Sequence, residues 1–271
     1  MTAAEINYAL KVDGRARFDL VEKERTTVSI APSPVTVRDA RPRNAGLDLD
    51  VNGFRLYEHS SSIAVTGTRQ ELETTYLDEM SAFIKELTGA REVRPQRSGM
   101  QIRRSRMNKG EAESVNDHLL PAGFAHLDFT DRSMEAFLEL SATDDGPIAP
   151  YGRMALYQTW RVISPPPQDN LLAVADPASV PDQDVFLMDT RLGPENFPSC
   201  FFESRLATAN PHHSWNYFPD MRADEVLVFK GYETDPNRVG GVMHTAFRIP
   251  DAPADAVPRE SIEARFMAFF D

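Results

Sequence analysis

From Met154 onward the chain is cut into short apolar and β-branched runs by turns rich in proline, glycine and aspartate. The runs cover Met154 to Ile163, Leu171 to Val174, Val185 to Met188, Phe201 to Leu206, Trp215 to Phe218, Val226 to Phe229, Val242 to Phe247 and Ile262 to Phe270. They are of strand length, and no helical pattern separates them. That excludes alternating βαβ units and predicts a sandwich or barrel. In the last run Ile262, Ala264, Phe266, Ala268 and Phe270 share one face, while Arg259, Ser261, Glu263 and Arg265 share the other. The polar face belongs either to a half-exposed edge strand or to a cavity wall.

Upstream, residues 1–60 are polar and turn-rich, and are expected to form an extended N-terminal arm lying on the core. Pro32 and Pro34 should interrupt regular structure before Val35–Asp39. Gly53 to Tyr57 reads as a short strand leading to His59, a surface or hydrogen-bonded residue. Thr68-Arg69-Gln70-Glu71 has the form of a capping box, and Leu72, Tyr76, Met80, Phe83, Ile84 and Leu87 follow at helical spacing up to Gly89. One amphipathic helix over about 70–88 results, its apolar stripe packing on the core. Arg91, Arg94, Arg97, Arg103, Arg104 and Arg106 read as a solvated basic face, from which Arg103 or Arg104 is able to meet a substrate carboxylate. A short helix is expected from Ser133.

The 271 residues fit one domain, 1–271, with its core over 120–271. Hydrophobic content of 41% and charged content of 26% are globular values. A net charge of −12 disfavours nucleic acid and anionic membranes as partners. No apolar run resembles a signal peptide or a membrane span, so the expectation is a soluble, cytoplasmic protein; a homodimer is compatible with the sequence. Cys200 is the only cysteine. Thiolate metal sites are therefore excluded, and any metal must be held by histidine and carboxylate.

Such a set is at hand. On a strand, His126 and Asp128 point the same way, and with a distant second histidine they would form the 2-His-1-carboxylate triad of non-haem Fe(II) oxygenases. His244 is the favoured third ligand, because it follows a turn and a buried strand and precedes Arg259. His213, beside His212 at the entrance to the Trp215 strand, is the rival. His118 reads as structural or exposed. Arg259 and Ser261 would hold a dicarboxylate such as 2-oxoglutarate, and Arg265 competes for that role. The order His-x-Asp, His, Arg-x-Ser is that of the double-stranded β-helix (jelly-roll, cupin-like) oxygenases. The fold class is therefore mainly β with flanking helices around such a core.

The residues resemble the AsaB-like (CmcJ- and NvfI-type) hydroxylase/desaturase family from about Val35 to the C-terminus. The resemblance rests on Leu47-Asp48, Asn52-Gly53-Phe54, Leu87-Thr88-Gly89-Ala90, Ile102-Arg103-Arg104 and His126-x-Asp128. It continues through Trp160-Arg161, His213 to Met221, Asp224 to Lys230, His244 to Phe247 and Pro258 to Arg265. It implies an Fe(II)/2-oxoglutarate-dependent dioxygenase that hydroxylates or desaturates a small specialised metabolite with O2. Iron would sit at His126, Asp128 and His244, and 2-oxoglutarate near Arg259 and Ser261. Trp160, Arg161, Trp215, Tyr217 and Arg103 are candidates for the substrate wall. Phe129-Thr130 stands where the family usually has Gln-Ser, and Val162 where proline is frequent, which implies a substrate other than that of a typical member. Two other readings are a cupin-like metal protein, an isomerase or a sensor, that does not use 2-oxoglutarate, and a catalytically silent binding or scaffold protein.

Overall fold

A computed structural model describes residues 1–19, 21–105, 122–191, 201–250 and 252–271, with the backbone alone at Lys23, Ser98 and Phe201. His118, Arg106 and Cys200 lie outside the described residues. Two sheets carry the fold. The larger runs β1 (Thr2–Ala9), β3 (Ile30–Asp39), β12 (Trp215–Tyr217), β9 (Asn170–Ala175), β14 (His244–Arg248), β7 (His126–Leu127), β11 (Phe201–Ala207), β10 (Val185–Arg191), β2 (Ala16–Asp19). The smaller runs β4 (Phe54–Glu58), β13 (Glu225–Glu233), β8 (Arg153–Val162), β15 (Glu260–Phe270), β5 (Glu92–Pro95), with β6 (Gln101–Arg104) also pairing to β15.

Alternation along the strands of the smaller sheet decides what each face covers. Trp160, Leu227 and Phe229 turn inward and pack with Leu172, Val174 and Trp215 of the larger sheet into the main core. Tyr157, Val226, Ile262, Ala264 and Phe266 turn outward against Leu72, Tyr76, Met80 and Ile84 of the helix. That helix runs over 69–88, opened by the Thr68/Glu71 capping box, loosened by one π-turn at Leu72–Tyr76, and closed by Gly89 at φ 68°. There Gly89 N–H donates to the Lys85 carbonyl from a left-handed backbone, a conformation glycine adopts without strain. A second helix, Asp131–Asp145, is longer than the short one expected, because Thr130 and Ser133 cap its start reciprocally.

Three expectations need correction. Residues 1–60 are not an arm laid on the core: β1, β2 and β3 are strands of the larger sheet and β4 an edge of the smaller one. Pro32 and Pro34 do not interrupt β3, which pairs with β1 over Ile30–Val37 but with β12 only at Val37–Asp39. Two residues apart, the prolines place their missing donors on the same side of the strand, and such a position needs only one unpaired flank. The arginines from 91 to 104 are not a uniformly solvated face either. Arg94 is buried and donates to the carbonyls of Gly146 and Pro147, while Arg91, Arg97, Arg103 and Arg104 each pair with a carboxylate.

Candidate metal centre

The centre is built where β7 meets β14. His244 lies directly opposite His126 in antiparallel register, and their ring centroids are 4.4 Å apart. Asp128 follows two residues after His126 and is turned the same way. One ligand atom from each of the three lies within 4.8 Å of the others. Both imidazoles are oriented from behind: Nδ1–H of His126 donates to the Phe124 carbonyl (2.8 Å) and that of His244 to the Val242 carbonyl (3.0 Å). A carbonyl only accepts, so these bonds fix the tautomer and leave each Nε2 facing the carboxylate. The distances are 3.3 Å from His126 Nε2 to Asp128 Oδ1 and 3.8 Å from His244 Nε2 to Oδ2.

Charge at this point is tightly constrained. Burial pushes His244 down to about 4, helped by the charge of His126, so His244 is a neutral imidazole with a lone pair to offer. Burial also opposes charging of His126, but the hydrogen bond and charge of Asp128 outweigh it and raise its pKa. Burial favours a protonated Asp128, yet Arg265 and His126 hold it well below the usual carboxylate range. Two nitrogen lone pairs and a carboxylate that converge on one point, with open space beside them, suit a divalent metal with vacant positions.

Arg265 contacts that carboxylate. Its Nη2 donates to Asp128 Oδ2 at 3.3 Å and to Glu263 Oε1 at 2.5 Å, and Nη1 donates to the Gly99 carbonyl. Arg259 is different. It is 1% exposed, donates from Nη1 to Ser261 Oγ (2.6 Å) and from Nη2 to Asn170 Oδ1 (3.4 Å), and lies over the Trp160 ring. Its Nε has no partner and no carboxylate pairs with its guanidinium among the described residues. Burial, then the charge of Arg103, pushes its pKa down to about 10. His126, Asp128, His244, Arg259, Arg103, Glu263 and Trp160 line one cavity.

The remaining expected residues are elsewhere. Arg161 points out of the sandwich to Tyr76, His59 and Ala223. Trp215 is fully buried and donates to the Tyr8 hydroxyl, and Tyr217 packs edge-on to Phe247. His213 is held between Tyr8 and Asp184, so it is no rival to His244 in this cluster. Phe129 and Val162 are core residues, and neither is among those lining the cavity. β15 is no edge strand, since it is paired on both sides and buried from Ser261 to Phe269. Sequence reasoning gave no role to Glu263; its place between Ser261 and Arg265 on the polar face was the available signal.

Known proteins share this architecture. A family profile described as "Oxidoreductase/YMDC permease-like domain" matches residues 6–269. The chain is 31% identical to the alpha-ketoglutarate-dependent dioxygenase phiK of a fungal species, over 87% of this chain and 83% of that one. It is 28% identical to the hydroxylase/desaturase efuI of Hormonema carpetanum, over 91% and 86%. The solved structure of the iron and alpha-ketoglutarate-dependent endoperoxidase NvfI superposes with a TM-score of 0.83 at 22% identity, covering 99% of this chain and 97% of that one; at that identity the likeness concerns the fold. These matches favour the oxygenase reading over a cupin-like protein without 2-oxoglutarate (alpha-ketoglutarate).

Proposed function

Because the chain belongs to the hydroxylase and desaturase family of Fe(II)/2-oxoglutarate-dependent dioxygenases, we propose that it oxidises a small specialised metabolite in the cytoplasm at a metal held by His126, Asp128 and His244. Arg259 and Ser261 receive the far carboxylate of 2-oxoglutarate. One observation carries this reading: a buried guanidinium that no carboxylate pairs with among the described residues lines the same cavity as the three ligands. A buried charge is stable only when paired, and a dicarboxylate that reaches from Arg259 to the metal supplies the pair.

When bound, iron and 2-oxoglutarate supply, with O2, the oxidant that breaks a substrate C–H bond. The protein's own share is placement. The carbonyls of Phe124 and Val242 hold the imidazoles in one tautomer and one orientation. Arg265 keeps Asp128 ionised and fixed. Trp160 and Arg103 form cavity wall that the metal ligands do not, and are the residues we assign to substrate contact. Among the described residues no helix is long and apolar enough to cross a membrane.

The test is an anaerobic titration of the Fe(II)-loaded protein with 2-oxoglutarate, followed by the weak visible charge-transfer band of the chelate. The band is expected in the wild type and absent in Asp128→Ala. In Arg259→Ala half-saturation should need about tenfold or more 2-oxoglutarate, the worth of a charge-assisted hydrogen bond. An unchanged titration in Arg259→Ala would move the anchor to another residue. A wild type that binds iron and never shows the band would end the oxygenase assignment of this site.

A further inference from the structure

Arg205 on β11 carries a half-buried guanidinium that makes no hydrogen bond or ion pair among the described residues, and its Nε is fully covered. A covered donor of that kind is costly unless a ligand or water meets it. Its direction follows from the register. Leu187, Arg205 and Leu127 stand side by side in one row across β10, β11 and β7, and the next row, Leu206 with His126, belongs to the opposite face. Arg205 therefore turns away from the metal. It lines a second cavity, of about 470 Å³, which shares no lining residue with the first. That volume is in the range of small-molecule sites. Leu127 lies between His126 and Asp128 in the chain and Met243 just before His244, so this cavity backs onto the strands that carry the metal ligands.

The walls are of two kinds. Leu127, Val180, Val185, Leu187 and Met243 are apolar, and Leu187 is still 41% exposed. Gly241 leaves room for the cation, since a Cβ there would come within 3.3 Å of Arg205 Nη2. Carboxylates line the cavity too, but none pairs with the guanidinium. Glu233 is held by Lys230 and Arg153, Asp131 accepts the Tyr232 hydroxyl at 2.7 Å, and Asp182 is exposed. Burial pushes Arg205 below the usual arginine value, and Asp182 and Asp131 oppose this only through space. These acids also limit the ligand. One carboxylate matches the guanidinium fork, whereas a phosphate dianion or a dicarboxylate would bring a second negative charge against them.

We propose that this cavity is a second ligand site, for an amphipathic monocarboxylic acid whose carboxylate pairs with Arg205 and whose hydrocarbon part lies on the row of Leu127 and Leu187 and on Val180, Val185 and Met243. The assignment stands independently of the function proposed above.

The experiment is a calorimetric titration of the full chain, loaded with Mn(II) and 2-oxoglutarate, with decanoate and with decan-1-ol. Decanoate should bind the wild type saturably, and Arg205→Gln should weaken it about tenfold or more, the worth of a hydrogen bond between charged groups. The alcohol, which has no charge to lose, should bind both proteins alike, and Arg259→Ala should bind decanoate as the wild type does. No saturable decanoate binding to the wild type overturns the proposal, as does equal binding to Arg205→Gln or an equal loss of acid and alcohol. A loss confined to Arg259→Ala would place the acid in the metal cavity and also overturn it. Arg205 has no partner to lose, so the thermal midpoint of Arg205→Gln should stay or rise. Should that variant fail to fold, Leu187→Glu takes its place: directly opposite Arg205, it offers the guanidinium an internal carboxylate and should weaken decanoate to a similar extent. Unchanged affinity in Leu187→Glu, or its failure to fold as well, makes the row a structural element and ends the assignment.

Discussion

Arg259 and Arg265 share one face of one strand, yet their surroundings differ in kind. Arg265 has two carboxylates, Asp128 and Glu263, and Arg259 has none among the described residues. Arg265→Ala should strip buried Asp128 of its guanidinium, leave Glu263 with Arg103 alone, and destabilise the metal-free protein by about 3–5 kcal/mol. Arg259→Ala orphans no carboxylate and should leave the metal-free thermal midpoint near the wild-type value, its effect confined to 2-oxoglutarate affinity. Thermal unfolding of the two variants side by side checks this, and equal destabilisation would contradict the contrast. The sequence could not separate them, since both stand on the polar face of one alternating run. What distinguishes them is Asp128, which lies 137 residues away in the chain and meets Arg265 only through sheet pairing.

At the scale of elements, β8 shows how far a motif can be read. Trp160-Arg161 looked like one patch of pocket wall, but neighbours on a strand face opposite sides. Trp160 lines the cavity, and Arg161 donates to the carbonyls of His59 and Ala223, both at 2.6 Å, and to the Tyr76 hydroxyl. It ties the outer helix and two chain turns to the sheet. Arg161→Met should therefore cost about 2 kcal/mol by leaving partly buried acceptors and the buried Tyr76 hydroxyl without their donor, with no change in the 2-oxoglutarate titration. A weaker titration at unchanged stability would return Arg161 to the pocket. The helix over 69–88 was legible because a capping box, a periodic stripe and a glycine stop are all local. The second-half strands were legible for the same reason. β1 and β3 were not, because β3 is largely exposed and carries two prolines, and only the long-range pairing of Thr2 with Val37 and onward makes it a strand. Trp215 likewise reads as pocket until β1 brings Tyr8 to its indole nitrogen.

Across the whole molecule, the metal ligands and the proposed co-substrate contacts belong to different sheets. His126 and His244 stand on the larger sheet, with Asp128 just beyond β7; Ser261 stands on the smaller, with Arg259 just before β15. The His-x-Asp…His…Arg-x-Ser order made this centre legible in outline. The division between sheets was not, since it depends on pairings such as His244 with His126 and Ser261 with Val162. A metal alone ties together neighbouring strands of one sheet, whereas 2-oxoglutarate on that metal would bridge both and bind only when the sandwich is closed. A ligand that binds only the native state at about 100 times its dissociation constant adds about 2.7 kcal/mol. For a chain of this length, that corresponds to a rise in thermal midpoint of about 5 °C or somewhat more. We expect 2-oxoglutarate to give that rise in the presence of Mn(II) or anaerobic Fe(II), and a much smaller one without metal, because the near carboxylate then lacks its principal partner. In Asp128→Ala the metal-dependent part should vanish while the metal-free response stays. Equal shifts with and without metal would mean that the two ligands do not share one site, and that Arg259 takes up carboxylates independently of the His-Asp-His cluster.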